Sequence, residues 1–306
     1  MLLNVLFLMA SIAILWLGSK YLVESASRIA ASLGISELVI GLTVVAFGTS
    51  APEFAVTVSA AIDGHPEISV GNILGSNVFN ISFILGIVAL VRAIHSSRQL
   101  VFRDGLFMTA VTALLFLMFH DDSITRLEGG ILVALLLSYM AFLLIKKDAP
   151  EESDVPSGKA AWMDYLILPA SIAAVVAGGQ LLVHSASFIA RAAGLSDWVI
   201  GATIVAAGTS APEMVTSIAA AVKGRHGISA GNIIGSNIFN TLGVLGVAGL
   251  IRPMTVTGGV YITLSVLMVM MLFAVFFIRT NWKLSRLEGA LLLGLGVALW
   301  AWEFAK

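Results

Sequence analysis

The segment "LVESASRIAASLGISELVIGLTVVAFGTSAPE", ending at Glu53, returns later in the chain as "LVHSASFIARAAGLSDWVIGATIVAAGTSAPE", ending at Glu213. A second segment, "ISVGNILGSNVFN" to Asn80, returns as "ISAGNIIGSNIFN" to Asn240. A third, "RLEG" at Arg126 to Gly129, returns at Arg286 to Gly289, and all three pairs share one offset of 160 residues. A fixed offset across three landmarks means one unit written twice. Whatever the first half folds into, the second half must fold into something alike.

Composition says in which solvent. Only 11% of the 306 residues are charged and 58% are hydrophobic, where a soluble domain carries about 25% charged residues. Apolar segments suited to a hydrocarbon core about 30 Å thick are predicted at 2–32, 37–62, 69–92, 100–119 and 127–146, and again at 162–192, 197–222, 229–251, 257–279 and 287–304. The expected fold is an all-α polytopic membrane protein of ten transmembrane helices. Five spans per unit is an odd number, so the second copy must enter the membrane the other way round, as an inverted repeat. The units are expected at 1–146 and 162–306, joined by a linker at 147–161 ("KDAPEESDVPSGKAA" from Lys147). The first apolar stretch lacks a basic leader and has a mate near Trp162, so it is read as a retained span rather than a signal peptide.

Basic residues orient the chain. With the N-terminus outside, the inner connections hold Arg92, Arg98, Arg103, Lys146, Lys147, Lys159, Lys223, Arg225, Arg279, Lys283 and Arg286, and the outer side keeps Arg126, Arg191, Arg252 and Lys306. The excess of Lys and Arg inside places both termini outside and the linker in the cytoplasm. A net charge of −1 argues against a nucleic-acid partner, and zero cysteines exclude disulfides and thiolate metal sites.

Two carboxylates fall mid-span, Glu53 and Glu213. A charge at that depth costs about 2.5–3.5 kcal/mol on insertion scales. A buried ion pair or a protonated packing Glu would be the structural explanation, but no basic residue lies mid-span beside either. Each Glu closes a "GTSAPE" string. Pro52 and Pro212 lack an N–H, and their rings crowd the carbonyls of Gly48 and Gly208 four residues back. The helix should break there, baring carbonyl oxygens, while Thr49, Ser50, Thr209 and Ser210 add hydroxyls. Broken backbone at membrane depth persists where it lines a cavity. A simple proline kink would explain one copy but not a duplicated oxygen-rich string. In the third and eighth spans, Gly71/Gly75 and Gly231/Gly235 are small-residue pairs that let helices approach closely. Packing does not explain Ser76, Asn77, Asn80, Ser236, Asn237 and Asn240 at the same depth; residues 76 and 80, like 236 and 240, share a helix face, expected to turn toward the broken helix of its own repeat.

Oxygen ligands without central His or Cys suit calcium, sodium or magnesium. Calcium, which accepts about 6–8 oxygens in flexible geometry, fits the set better than magnesium. His120, Asp121 and Asp122 are read as a solvated loop, and Met268, Met270 and Met271 as apolar filler. His184 stands where Glu24 stands in the other copy, so the symmetry requires neither.

The paired "GTSAPE" and "GSNxFN" strings resemble those of the sodium/calcium exchanger family of the calcium/cation antiporter superfamily, over nearly the whole chain. That resemblance implies an antiporter exchanging sodium for calcium by alternating access at a midplane site. It implies Glu53 and Glu213 as acidic ligands, side-chain oxygens from Thr49, Ser50, Ser76, Thr209, Ser210 and Ser236, carbonyls from Ala46 and Ala206, and Asn80 and Asn240 at the centre. The long first and sixth spans would slide against the rest. Potassium-dependent exchangers carry Asp where Asn240 stands, and the proton-coupled branch carries a Glu after "GN", where Ile73, Leu74 and Gly75 follow Asn72 here. Neither co-ion is expected. The implied protein works as a monomer amid lipid in a prokaryotic cell membrane, with calcium and sodium as cargo and no cofactor. A proton- or magnesium-coupled exchanger is the nearest alternative; a cation channel is weaker, and an enzyme weaker still, because the mid-span serines have no base beside them.

Overall fold

The computed structural model describes residues 1–146, 148, 158–195, 200–256 and 260–305. The expected linker therefore lies outside the described residues, apart from Asp148 and residues 158–161, as do the expected first residues of the seventh and ninth spans at 197 and 257. The chain is helical almost throughout. Helix α1 runs Leu2–Leu33, α2 is the bent pair Glu37–Thr49 and Ala51–Asp63, α3 is Pro66–Val91, α4 Leu100–Asp121 and α5 Arg126–Lys146. The second half repeats the series: α6 Asp164–Ala192, α7 the bent pair Thr203–Thr209 and Ala211–Val222, α8 His226–Ile251, α9 Val260–Trp282 and α10 Arg286–Ala305. Among the described residues, seven continuous helices are long and apolar enough to cross a membrane, or nine if each bent pair is one span. Many large apolar side chains are exposed on the bundle's surface, among them Leu17, Phe142, Ile145, Leu166 and Phe276. That surface suits lipid, and the protein is an integral membrane protein.

The duplicated sequence stops its helices in duplicate. Gly34 and Gly64, just past α1 and α2, take φ of +65° and +80°, and their mates Gly194 and Gly224 take +89° and +77°. Only glycine adopts that left-handed turn at no steric cost. The recurring "RLEG" is also structural. Glu128 Oε2 accepts from the backbone N–H of Thr125 at 2.8 Å while Thr125 Oγ1 accepts from Glu128 N–H at 3.3 Å. Ser285 and Glu288 do the same at 2.7 and 3.4 Å. Each is a reciprocal cap that starts α5 or α10. The glycine after each Glu then brings backbones together: a Cβ on Gly129 would meet Gly246 O of α8 at 2.7 Å, and one on Gly289 would meet Gly86 O of α3 at 2.8 Å. So α5 of the first half packs on α8 of the second, and α10 on α3. The halves are interlaced.

Two small antiparallel ladders fix how the halves relate. Strand β1 (Ile94–His95) pairs with β4 (Lys283–Leu284), and β2 (Ser123–Ile124) pairs with β3 (Met254–Thr255). Residues 94–95 and 254–255 are repeat mates, yet β1 precedes α4 whereas β3 pairs with the strand that follows it. Equivalent segments thus sit at opposite ends of α4. Along the bundle's flank, α1 and α6 lie against each other through mated glycines: a Cβ on Gly18 would meet Val175 at 2.8 Å, and one on Gly178 would meet Ile14 and Leu15 at 3.1 Å.

Candidate cation site

The site forms where α2 and α7 bend. Ser50 and Ser210 leave helical geometry, with φ/ψ of −81°/10° and −88°/8°, and the halves on either side meet at 51° and 52°. Pro52 and Pro212 follow in the first turn of the new helix, where a missing N–H costs nothing. Each bend places a Glu one turn later, facing inward: Glu53 is 1% exposed and Glu213 0%.

The two carboxylates take their shortest hydrogen bonds across the repeats. Ser210 Oγ donates to Glu53 Oε1 at 2.9 Å, and Ser50 Oγ donates to Glu213 Oε1 at 2.8 Å. Each repeat therefore orients the other's acid. Ser236 Oγ reaches Glu213 Oε1 of its own repeat at 3.5 Å. In contrast, the amide of Asn80 crosses to Asn237 Oδ1 at 3.0 Å, and that of Asn240 crosses to Asn77 Oδ1 at 3.2 Å. The face carrying residues 236 and 240 thus serves both its own broken helix and the opposite repeat. Asn80 and Asn240 lie in wide, i→i+5 turns at Asn80–Ile84 and Phe239–Val244, the kind of local widening that often accompanies functional positions.

Four oxygens in this set are buried without a hydrogen-bond partner: Oε2 of Glu53 and Glu213, and Oδ1 of Asn80 and Asn240. They fall into two mated pairs. Among the described residues, no ion pair includes either Glu; the ion pairs link Arg28 with Asp164, Arg103 with Asp104 and Asp148, Lys223 with Glu24, and Arg225 with Glu37. These cluster where α1 ends and α2, α4 and α6 begin. Buried charge without a partner is costly enough that it demands a counter-charge, and acceptor-only oxygens demand a cation. Hydroxyls complete the set. Thr49 Oγ1 donates to Asn232 Oδ1 at 3.0 Å and lies 3.5 Å from Ser236 Oγ. The carbonyl of Ala46 accepts the N–H of Ser50 at 3.1 Å and lies 3.4 Å from Thr49 Oγ1, and that of Ala206 accepts from Thr209 Oγ1 at 3.3 Å. The bend has not stripped Ala46 of its backbone bond, so a cation could use only its remaining lone-pair space.

The mates are not equally enclosed. Gly231 and Gly235 press on α2, where an added Cβ would meet Leu38 O and Leu42 Cα at 2.7 Å, whereas Gly71 and Gly75, both exposed, meet nothing within 4 Å among the described residues. Among the described residues, the close approach expected of both pairs is made by one, that of α8 with the first half of α2; position 198, mated to Leu38, lies outside the described residues. Exposure agrees: Thr49 and Ser236 retain 1% and 0%, Thr209 and Ser76 retain 7% and 5%. The site is more fully enclosed on the α2–α8 side than on the α3–α7 side.

Sequence reasoning passed over Asn232, which receives Thr49, and the brackets Asn72 Nδ2 to Thr57 Oγ1 at 2.9 Å and Asn232 Nδ2 to Ser217 Oγ at 3.0 Å, which tie α3 and α8 to the second halves of α2 and α7. Their place inside the duplicated motif was the available signal. Glu24 is engaged with Lys223, not the site, and Asp121 accepts from Ser123 in an exposed turn.

The family model described as "Sodium/calcium exchanger protein" matches residues 3–145 and 163–302. The chain is 34% identical to the sodium/calcium exchanger MaX1 of Methanosarcina acetivorans, over 96% of this chain and 97% of that one. It is 31% identical to the inner membrane protein YrbG of Escherichia coli, over 98% and 94%. Among solved structures, the sodium-calcium exchanger NCX_Mj soaked with sodium and strontium superposes with a TM-score of 0.88 at 32% identity, covering 98% of both chains.

Proposed function

We propose that this chain, which belongs to the sodium/calcium exchanger family, carries calcium one way and sodium the other through the pocket between Glu53 and Glu213. Family membership makes it a transporter, not an enzyme, and its cargo is the ion pair the family exchanges. What carries the assignment to this site is one observation: four buried, acceptor-only oxygens on Glu53, Glu213, Asn80 and Asn240 have no hydrogen-bond partner and, among the described residues, no cationic side chain is paired to either acid.

The remaining oxygens of Thr49, Ser50, Ser76, Thr209, Ser210, Ser236, Ala46 and Ala206 complete the ligand set in this reading. Ten spans form two inverted five-helix units, 1–146 and 162–306. The ladders support that arrangement, because mated segments end on opposite sides of α4. The Lys and Arg distribution supports both termini outside, which makes the less enclosed α3–α7 side the outer approach. Access alternates as the closer enclosure passes from α8's glycines to α3's. Every oxygen comes from one chain, so a monomer suffices.

With both carboxylates ionised, one calcium brings the pocket to neutrality, whereas three sodium ions leave it at +1. The sodium-loaded step then moves charge through the field, about 2.3 kcal/mol per charge per 100 mV. Proteoliposomes loaded with sodium are expected to take up radioactive calcium in proportion to the outward sodium gradient, with a measurable current. Uptake that follows a pH gradient and ignores sodium would refute the proposal in favour of a proton-coupled exchanger. Electroneutral uptake would refute the charge balance.

A further inference from the structure

An asparagine offered to a cation has a right and a wrong way round. Its Oδ1 attracts the ion and its Nδ2 repels it, yet the two ends are nearly the same size, so packing alone does not choose between them. For Asn80 and Asn240 the choice is made by another residue. Asn237 Oδ1 takes the amide hydrogen of Asn80 at 3.0 Å, and Asn77 Oδ1 takes that of Asn240 at 3.2 Å, leaving the Oδ1 of Asn80 and Asn240 without a hydrogen-bond partner. Asn77 and Asn237 are themselves amides, both 0% exposed, and their own orientation is settled one step further out. Asn77 Nδ2 donates to Thr241 Oγ1 at 2.8 Å and to the Asn237 carbonyl at 3.4 Å. Asn237 Nδ2 is directed at Met108 Sδ at 3.8 Å, a weak acceptor. The mate of Thr241 is Ile81, which has no hydroxyl.

We propose that Asn77 and Asn237 are positioning residues for the transported cation: each fixes the amide of the site asparagine in the opposite repeat so that oxygen, not nitrogen, meets the ion. The relay through Thr241, Asn77 and Asn240 is the firmer of the two. This rests on the pocket's being the calcium site.

The competing role for Asn77 is interhelical glue, and a double-substitution cycle separates the two. A carboxylate has two equivalent oxygens, so in an Asn240→Asp background there is no wrong orientation to prevent. Half-saturating calcium and maximal rate are measured for the full chain in proteoliposomes, with a thermal melt of each purified variant. In the unmodified background Asn77→Ala is expected to raise half-saturating calcium about tenfold or more, the usual cost of losing a group that orients a metal ligand. In the Asn240→Asp background the same substitution should cost less than about threefold. Equal losses in both backgrounds, or no loss in the first, would overturn the inference. Should Asn77→Ala fail to fold, Thr241→Val keeps the shape and loosens the same relay; it should raise half-saturating calcium in the Asn240 background and leave it unchanged in the Asn240→Asp one, and equal effects would again overturn the inference. Failure of the unmodified chain to take up calcium is a different result, and overturns the site assignment itself.

Discussion

Glu53→Gln isolates charge from shape. The amide oxygen of a glutamine can still accept the Ser210 hydroxyl, now 2.9 Å from Glu53 Oε1, so the crossed hydrogen bond survives. What changes is the other end: Oε2, buried and without a hydrogen-bond partner, becomes an N–H2 that faces the ion with the wrong polarity. Removing one partner of a buried, desolvated ion pair costs about 3–5 kcal/mol. At about 1.4 kcal/mol per decade, half-saturating calcium should rise by about 140- to 3700-fold. Glu213→Gln should match it, because Ser50 holds Glu213 as Ser210 holds Glu53 and both acids are buried. The assay is initial uptake of radioactive calcium into sodium-loaded proteoliposomes across a calcium series wide enough to recover a saturating rate. A shift of less than about threefold for either variant, or residual calcium transport by the Glu53→Gln/Glu213→Gln pair, would refute the argument that two charges hold one divalent ion.

The two glycine pairs should respond oppositely to a methyl group. Gly235→Ala, whose Cβ would meet Leu42 backbone at 2.7 Å, should cost about 1–3 kcal/mol through overpacking, read as a lower melting temperature in detergent. Gly75→Ala, exposed and with nothing within 4 Å among the described residues, should melt within about 0.5 kcal/mol of the unmodified chain; similar losses for both would remove the case for unequal enclosure. Acid should inhibit by competition: protons neutralise the same two carboxylates as calcium does, so lowering the pH should raise half-saturating calcium and leave the maximal rate at saturating calcium little changed. Inhibition confined to the maximal rate would point to titration elsewhere.

Much of this was legible before any coordinates. The offset of 160 residues predicted mated helices, proline at position 52 and its mate predicted the bends, and the scarcity of mid-span charge singled out Glu53 and Glu213. What was not legible depends on which surfaces meet. A sequence motif places Ser50 beside Glu53 in the chain, but only packing reveals that its hydroxyl serves Glu213. The asparagine relay is hidden for the same reason, since Asn77 and Asn240 meet across the interface between repeats. Nor could a symmetric sequence disclose an asymmetric conformation: Gly75 and Gly235 read alike and differ only in what stands against them. The capping role of "RLEG" was within reach, because Thr125 and Ser285 precede Glu128 and Glu288 by three residues, a spacing with a known local meaning.

The crossed serine–glutamate bonds bear on ancestry. Each acid takes its shortest hydrogen bond from the other half, so a half-length forebear of this chain would have lacked the closest bond to its own carboxylate. It could have gained that bond by meeting a second copy of itself. Fusion of two such copies would then have preserved an existing partnership, and afterwards allowed each side to drift, as Thr241 has from Ile81.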